Sequence, residues 1–161
     1  MVAVDEGYTD MTPTLRGRIE TRLFLLATVG VVWTAIVSPL LPRPRFASLG
    51  MVYGITFKAI AVVGVVGIGW ELVYHGLQQF RWNKDWPSLF GLLTMLNEGL
   101  VVWLILHALN IIPGTSGWSS PIRNLFVLHF ASTWLCMWLF MQGPLRVVLL
   151  RWRFEGGRLK L

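Results

Sequence analysis

The sequence predicts an all-α integral membrane protein, built as an antiparallel bundle of four transmembrane helices. Of its 161 residues, 55% are hydrophobic and only 14% are charged, whereas a soluble domain usually carries about a quarter charged residues. Four stretches reach the length of about 20 mostly apolar residues that a helix needs to cross a bilayer. Proline and glycine separate these stretches. The chain is therefore expected to fold in lipid rather than in water.

The four predicted spans lie within a transmembrane domain at 23–149, between an N-terminal tail at 1–22 and a basic C-terminal tail at 150–161. The spans run from about 23 to 41, 54 to 77, 88 to 112 and 124 to 145. The first and the last contain no formal charge. The second contains Lys58 and Glu71, and the third contains Glu98. Pro87 favours a helix start just before the third span.

The distribution of Lys and Arg predicts the orientation. Ten of the fourteen Lys and Arg residues lie in the N-terminal tail, in the loop between the second and third spans, or after the fourth span. The other side holds Arg43, Arg45, Lys58 and Arg123. Because cytoplasmic loops carry the excess of Lys and Arg, we expect a multi-pass protein of the cell (inner) membrane with both termini in the cytoplasm.

The predicted cytoplasmic face is rich in Arg and Trp, which are enriched at interfaces. This basic surface is expected to bind anionic lipid headgroups, other membrane proteins or a second copy of the chain. A simpler interpretation is that the same charges act only as a topology anchor, which fixes the orientation of the chain in the membrane. Nucleic acid is not expected as a partner, because these charges follow a membrane face. The candidate residues are Arg81, Trp82, Trp86, Arg151, Trp152 and Arg153.

Polar residues inside the predicted spans are the candidate site. A charged side chain at the centre of a span costs about 2.5 to 3.5 kcal/mol on insertion scales. Glu98, with Asn97 and Thr94 beside it, is expected to be protonated or hydrogen bonded to a neighbouring helix. Glu71 and His75 lie four residues apart and share a helix face. These groups either fix the helix packing or handle protons or a substrate.

His107 and His129 are predicted about 9 and 10 Å from the outer ends of their helices, at 1.5 Å per residue. This equal depth raises the possibility of a bis-histidine haem, or of a quinone site that includes Trp103. Packed neighbouring helices lie only about 8 to 10 Å apart, however, which is too close for two imidazoles with iron between them. We therefore expect these histidines to pack within the bundle, and no cofactor.

The sequence contains no phosphate-binding glycine loop, no HExxH motif and no GxSxG motif. Its single cysteine, Cys136, excludes an intramolecular disulfide and a Cys₄ zinc site. The leading hypothesis is a non-enzymatic membrane subunit or scaffold of a larger assembly. The alternatives are a small transporter or channel that uses Glu98 and Glu71, and a haem- or quinone-binding subunit that uses His107 and His129.

Four segments of the chain carry a resemblance to a known group of proteins: 16–30, 70–94, 97–99 and 151–159. Through these segments the chain resembles uncharacterised small four-span membrane proteins of actinobacteria. The resemblance implies a location in the cell membrane of a high-GC bacterium, and it carries no activity, cofactor or catalytic residue.

Overall fold

The computed structural model describes residues 14–43, 45, 47–80, 88–110 and 120–149, and every regular element in these ranges is helical. The first long helix combines α1 with a π-helical turn, α2 and a short 3₁₀ turn, and three further helices of more than twenty residues follow. The elements are α1 (Leu15–Leu25), the π turn (Leu26–Gly30), α2 (Val31–Val37), the 3₁₀ turn (Ser38–Leu40), α3 (Leu49–Gln79), α4 (Ser88–Ala108), α5 (Ser120–Gln142) and α6 (Pro144–Val148).

The first long helix begins earlier than its predicted span. The hydroxyl of Thr14 accepts a hydrogen bond from the backbone N–H of Gly17 at 3.1 Å, which satisfies one of the donors that a helix start leaves free. The helix therefore begins at Leu15 instead of residue 23. As a consequence, Arg18 and Arg22 are part of the first long helix.

The ends of the other helices have local causes as well. Ser48 accepts from the backbone N–H of Met51 at 3.2 Å and starts α3 five residues before the predicted span. After α4, Asn110 has a positive φ of 48°, a left-handed conformation that commonly ends helices. Gly143 separates α5 from the short helix α6, in which Pro144 is the first residue. The predicted basic tail at 150–161 lies outside the described residues.

The long helices pack in a closed ring around one core. Helix α3 contacts α1 and α4, α4 contacts α5, and α5 packs against α2 and the π turn. The core includes Val52, Val102, Leu106 and Leu125, whose exposed fraction is 0%. The polar side chains described below are therefore enclosed by all four long helices.

Four helices are long and apolar enough to cross a membrane: Leu15–Leu40, Leu49–Gln79, Leu89–Ala108 and Pro121–Val148. The prediction of an all-helical chain with four such helices is confirmed for the part of the chain that the structure describes. Large apolar side chains also cover the outside of the helices, among them Val65 at 75% exposure and Leu40 at 77%. Exposed apolar surface of this extent is unusual for a soluble monomer.

The contact between α4 and α5 gives a test of the packing. A Cβ atom at Gly99 would lie 2.8 Å from Cε1 of Phe130, whereas one at Gly69 would meet no atom within 4 Å. We expect Gly99→Ala to lower the free energy of unfolding by about 1 to 3 kcal/mol through overpacking. The control Gly69→Ala should be neutral or stabilising, because alanine is the better helix former. Unfolding in detergent measures both, and equal effects would contradict this packing.

Candidate functional site

The Arg22 guanidinium lies between two carboxylates from two other helices. Its Nη1 donates to Oε1 of Glu71 on α3 at 2.8 Å, and its Nη2 donates to Oε2 of Glu98 on α4. One arginine on α1 therefore joins three helices. Arginine is suited to this role because its planar guanidinium offers five donors in a fixed geometry.

Arg18, one turn before Arg22, extends this arrangement. Its Nε donates to Oε2 of Glu71 at 2.8 Å, and its Nη1 donates to the side-chain oxygen of Gln78 at 2.9 Å. Glu71 thus accepts from both arginines through its two oxygens. We call Arg18, Arg22, Glu71, Gln78 and Glu98 the ionic layer.

The ionic layer is buried and its charges are matched. The side chains of Arg18 and Arg22 are 16% and 10% exposed, and Glu98 is 1% exposed. Two guanidinium groups face two carboxylates, so the layer has no net charge when all four groups are ionised. Buried charges are tolerated when they are paired and hydrogen bonded in this way.

Aromatic and small residues shape the space around Arg22. The guanidinium carbon lies 5.3 Å from the ring centroid of Trp134, within the range of a cation–π interaction. The indole N–H of Trp134 donates to the backbone oxygen of Gly91 at 3.2 Å, which holds the ring in place. On α3, a Cβ atom at Gly67 would collide with the Arg22 side chain. The arginine therefore requires glycine at that position.

A second polar cluster, the hydroxyl layer, consists of Thr34, Ser38, Thr56 and His129. Thr34 Oγ1 lies 2.9 Å from Nε2 of His129 on α5, and the Ser38 hydroxyl lies 2.8 Å from that of Thr56 on α3. The Ser38 hydroxyl also lies 2.6 Å from the backbone oxygen of Thr34, to which it donates. All four residues are at most 2% exposed. The first long helix is thus bonded to α3 and α5 by neutral groups as well.

The π turn brings both layers to the same face of the first helix. Arg22 and Thr34 are twelve residues apart, which in a regular α-helix, at about 100° per residue, places them about 120° apart. The wider π turn accommodates one extra residue, so the twelve residues rotate about as far as eleven residues of a regular α-helix. Arg22 and Thr34 are then only about 20° apart around the helix. Leu26 and Gly30, which lie between them at steps of four residues, are buried as well. Without this turn, one of the two layers would face away from the bundle.

The structure brings some of the predicted site residues together and separates others. Glu71 and Glu98 meet through Arg22. Thr94 donates within its own helix to the Gly91 oxygen at 2.9 Å, and Asn97 is exposed. His75 is partly buried, and its Nδ1 has no hydrogen-bond partner among the described residues.

The haem candidates have separate surroundings. His129 contacts Thr34 through Nε2, and His107 is partly buried near the end of α4. The Trp103 ring packs against Phe126 with centroids 5.1 Å apart. Across the described ranges, no group of three or more His, Cys, Asp and Glu residues is arranged to hold a metal ion. The predicted interface residues Arg81, Trp82, Trp86, Arg151, Trp152 and Arg153 lie outside the described residues.

Sequence reasoning missed Arg18 and Arg22 as members of the site, because both were counted as cytoplasmic topology charges. A signal was present in the sequence. Starting at Arg18, every fourth residue as far as Ser38 belongs to the ionic layer, the hydroxyl layer or the buried surface between them. Residues four apart are neighbours on a helix surface, but a run with a strict step of four drifts around a regular helix, so it forms one buried face only with the π turn.

Comparisons with family models, with curated proteins and with solved structures find no match to this chain.

The ion pairs predict a strong dependence of stability on Arg22. Arg22→Met leaves Glu98 without its arginine partner and leaves Glu71 with only one of its two arginine partners. We therefore expect a loss of about 3 to 5 kcal/mol in the free energy of unfolding. Adding Glu98→Gln restores charge balance and should recover part of this loss. In the exposed pair Arg16–Glu20, where the Arg16 side chain is 78% exposed, Arg16→Met should cost at most about 1 kcal/mol. Equal losses for Arg16→Met and Arg22→Met would contradict the role of the layer.

The π turn predicts an effect of chain length. Deleting the exposed Ala27 removes the extra residue of the turn and leaves Arg22 and Thr34 eleven residues apart in a regular α-helix, which still places them about 20° apart. We therefore expect the deletion to be tolerated. Inserting one alanine after Ala27 should instead turn Arg22 about 100° away from the face of Thr34 and destabilise the protein. Thermal unfolding in detergent compares the two variants, and equal losses of stability would show that the register does not depend on this turn.

Proposed function

We propose that the protein is a non-enzymatic integral membrane subunit or scaffold of a larger cell-membrane assembly. Its four long helices cross the bilayer as an antiparallel bundle. The observation that carries the proposal is the charge-matched ionic layer, in which the carboxylates at membrane depth are paired with arginines of the same chain. Polar side chains of this kind fix which helices pack together.

The pairing favours a structural role over the transport of a cation. A carboxylate that binds a cationic substrate must be accessible to that substrate. Glu98 is 1% exposed, and one of its oxygens accepts from Arg22. A substrate would have to displace an arginine that is also bonded to Glu71. A fixed helix contact accounts for this arrangement without any movement.

The orientation that fits the charge distribution places both termini in the cytoplasm. Arg22 then lies about 10 Å and Glu71 about 12 Å from the cytoplasmic ends of their helices, at 1.5 Å per residue. Arg18, Arg22 and Glu71 then lie in the cytoplasmic half of the bundle. Glu98 lies near the middle of α4, about 15 Å from either end of that helix, and Thr34, Ser38 and Thr56 lie in the outer half. Arg18, about 5 Å from its helix end, is close enough to the interface to be hydrated.

The proposed partners are anionic lipid headgroups at the cytoplasmic face and other membrane proteins or a second copy of the chain. The apolar outer surfaces of the helices support contacts within the membrane. The Arg and Trp residues at 81–86 and 151–153 support contacts with lipid headgroups or a cytoplasmic partner. A role with nucleic acid has no support from this charge distribution.

A small transporter or channel is the second candidate. One observation favours it: Oε1 of Glu98 is buried and has no hydrogen-bond partner within the described residues. An oxygen of this kind is a site where a proton can be held. The haem or quinone alternative, with His107 and His129, would require a Soret band or a bound quinone in the purified protein.

Glu98→Gln distinguishes the first two candidates, because it removes the charge and retains the shape of the side chain. If the protein is a scaffold, native partners should copurify with the parent in mild detergent, and the substitution should weaken this assembly. Liposomes that contain the parent should then show no proton-coupled flux. Proton-coupled flux that Glu98→Gln abolishes, with assembly unchanged, would contradict the scaffold and support the transporter.

A further inference from the structure

Four polar side-chain atoms on α4 and α5 are buried and have no hydrogen-bond partner in the described part of the chain. One of them, Nδ1 of His107, belongs to a partly buried residue near the end of α4. The other three are Oε1 of Glu98, Nδ1 of His129 and Oγ1 of Thr133. The residues are 1%, 2% and 6% exposed, respectively. Buried polar groups are nearly always hydrogen bonded to protein or to ordered water. Three such atoms on two neighbouring helices therefore require a common explanation.

The three residues lie at similar heights in the bundle. Helices α4 and α5 meet where Gly99 contacts Phe130. Glu98 directly precedes Gly99, His129 directly precedes Phe130, and Thr133 follows His129 by one turn. All three thus lie within about one helical turn, about 5.4 Å, of the same contact.

The side chains of Glu98 and His129 also face the same helix, at positions twelve residues apart along it. The other oxygen of Glu98 accepts from Arg22, and the other ring nitrogen of His129 lies 2.9 Å from the hydroxyl of Thr34. Arg22 and Thr34 belong to the same long helix, and the π turn places them on one face of it. Glu98 and His129 therefore both face the first helix, from adjacent helices, and Thr133 is on the buried face of α5 together with His129.

We propose that this region is a water-binding site, in which one or more water molecules bridge Glu98 to His129 with the help of the Thr133 hydroxyl. A buried water typically makes about three hydrogen bonds to groups that would otherwise lack partners, and the three atoms supply that number. The bridge joins the ionic layer to the hydroxyl layer. The site exists whether the protein is a scaffold or a transporter, so it goes beyond the proposed function.

Water-edited solid-state NMR in lipid bilayers tests the site, using protein labelled with ¹³C in Glu and His and, in a second sample, in Leu. Magnetisation from water should reach the carboxyl carbon of Glu98 and the ring of His129 severalfold faster than the side chain of Leu106, which is 0% exposed. Glu98→Gln and His129→Gln assign the signals. If both groups are as slow as Leu106, the region is dry and the proposal is wrong.

Thr133→Val tests the bridge itself, because it replaces the hydroxyl with a methyl group of similar size. Transfer to Glu98 and His129 should slow severalfold in this variant. Ser132→Ala is the matched control, since Ser132 is bonded to Trp33 at 3.3 Å and should have no effect. Thr133→Ser keeps the hydroxyl and should retain fast transfer even if Thr133→Val folds poorly. Unchanged transfer in folded Thr133→Val would overturn the proposed bridge.

Discussion

The position of one guanidinium group between two carboxylates determines much of this structure. Arg22 on α1 is bonded to Glu71 on α3 and to Glu98 on α4, and Trp134 on α5 lies beside it. Each of the four long helices thus contributes to one charge-neutral contact. In a low-dielectric interior, an unpaired member of such a group is strongly unfavourable. Apolar packing alone would leave the arrangement of the helices poorly defined. The ionic contact therefore selects one arrangement.

Other features of the sequence follow from this contact. Glycine at position 67 provides space for the arginine side chain. The π turn allows the first helix to present Arg22 and Thr34 on one face, although they are twelve residues apart. The hydroxyl layer then joins the same helix to α3 and α5 through neutral groups. Charged contacts near one end of the bundle are thus combined with neutral contacts nearer the other end.

The long apolar helices and the buried acids were predictable, because they depend on local composition and on the cost of placing a carboxylate in an apolar segment. The partner of Glu98 was not predictable in the same way. An arginine just before an apolar run has the same local pattern whether it faces lipid headgroups or a carboxylate on another helix. The early start of the first helix depends on the Thr14 cap, and its register depends on a π turn that a regular period of 3.6 residues does not include.

The most direct test of the account is where the Arg22 guanidinium lies in a lipid bilayer. Dipolar recoupling NMR can measure couplings from ¹⁵N-labelled arginine to the ¹³C carboxyl carbons of glutamate and to the ³¹P of lipid headgroups, with Arg22→Lys to assign the signal. An Arg22 guanidinium held in the ionic layer should couple strongly to glutamate carboxyl carbons and should not couple to phosphorus. The coupling to one of the two carboxyl carbons should be lost in Glu98→Gln. Coupling to lipid phosphorus without coupling to glutamate would contradict this placement, because Arg22 would then be a surface charge.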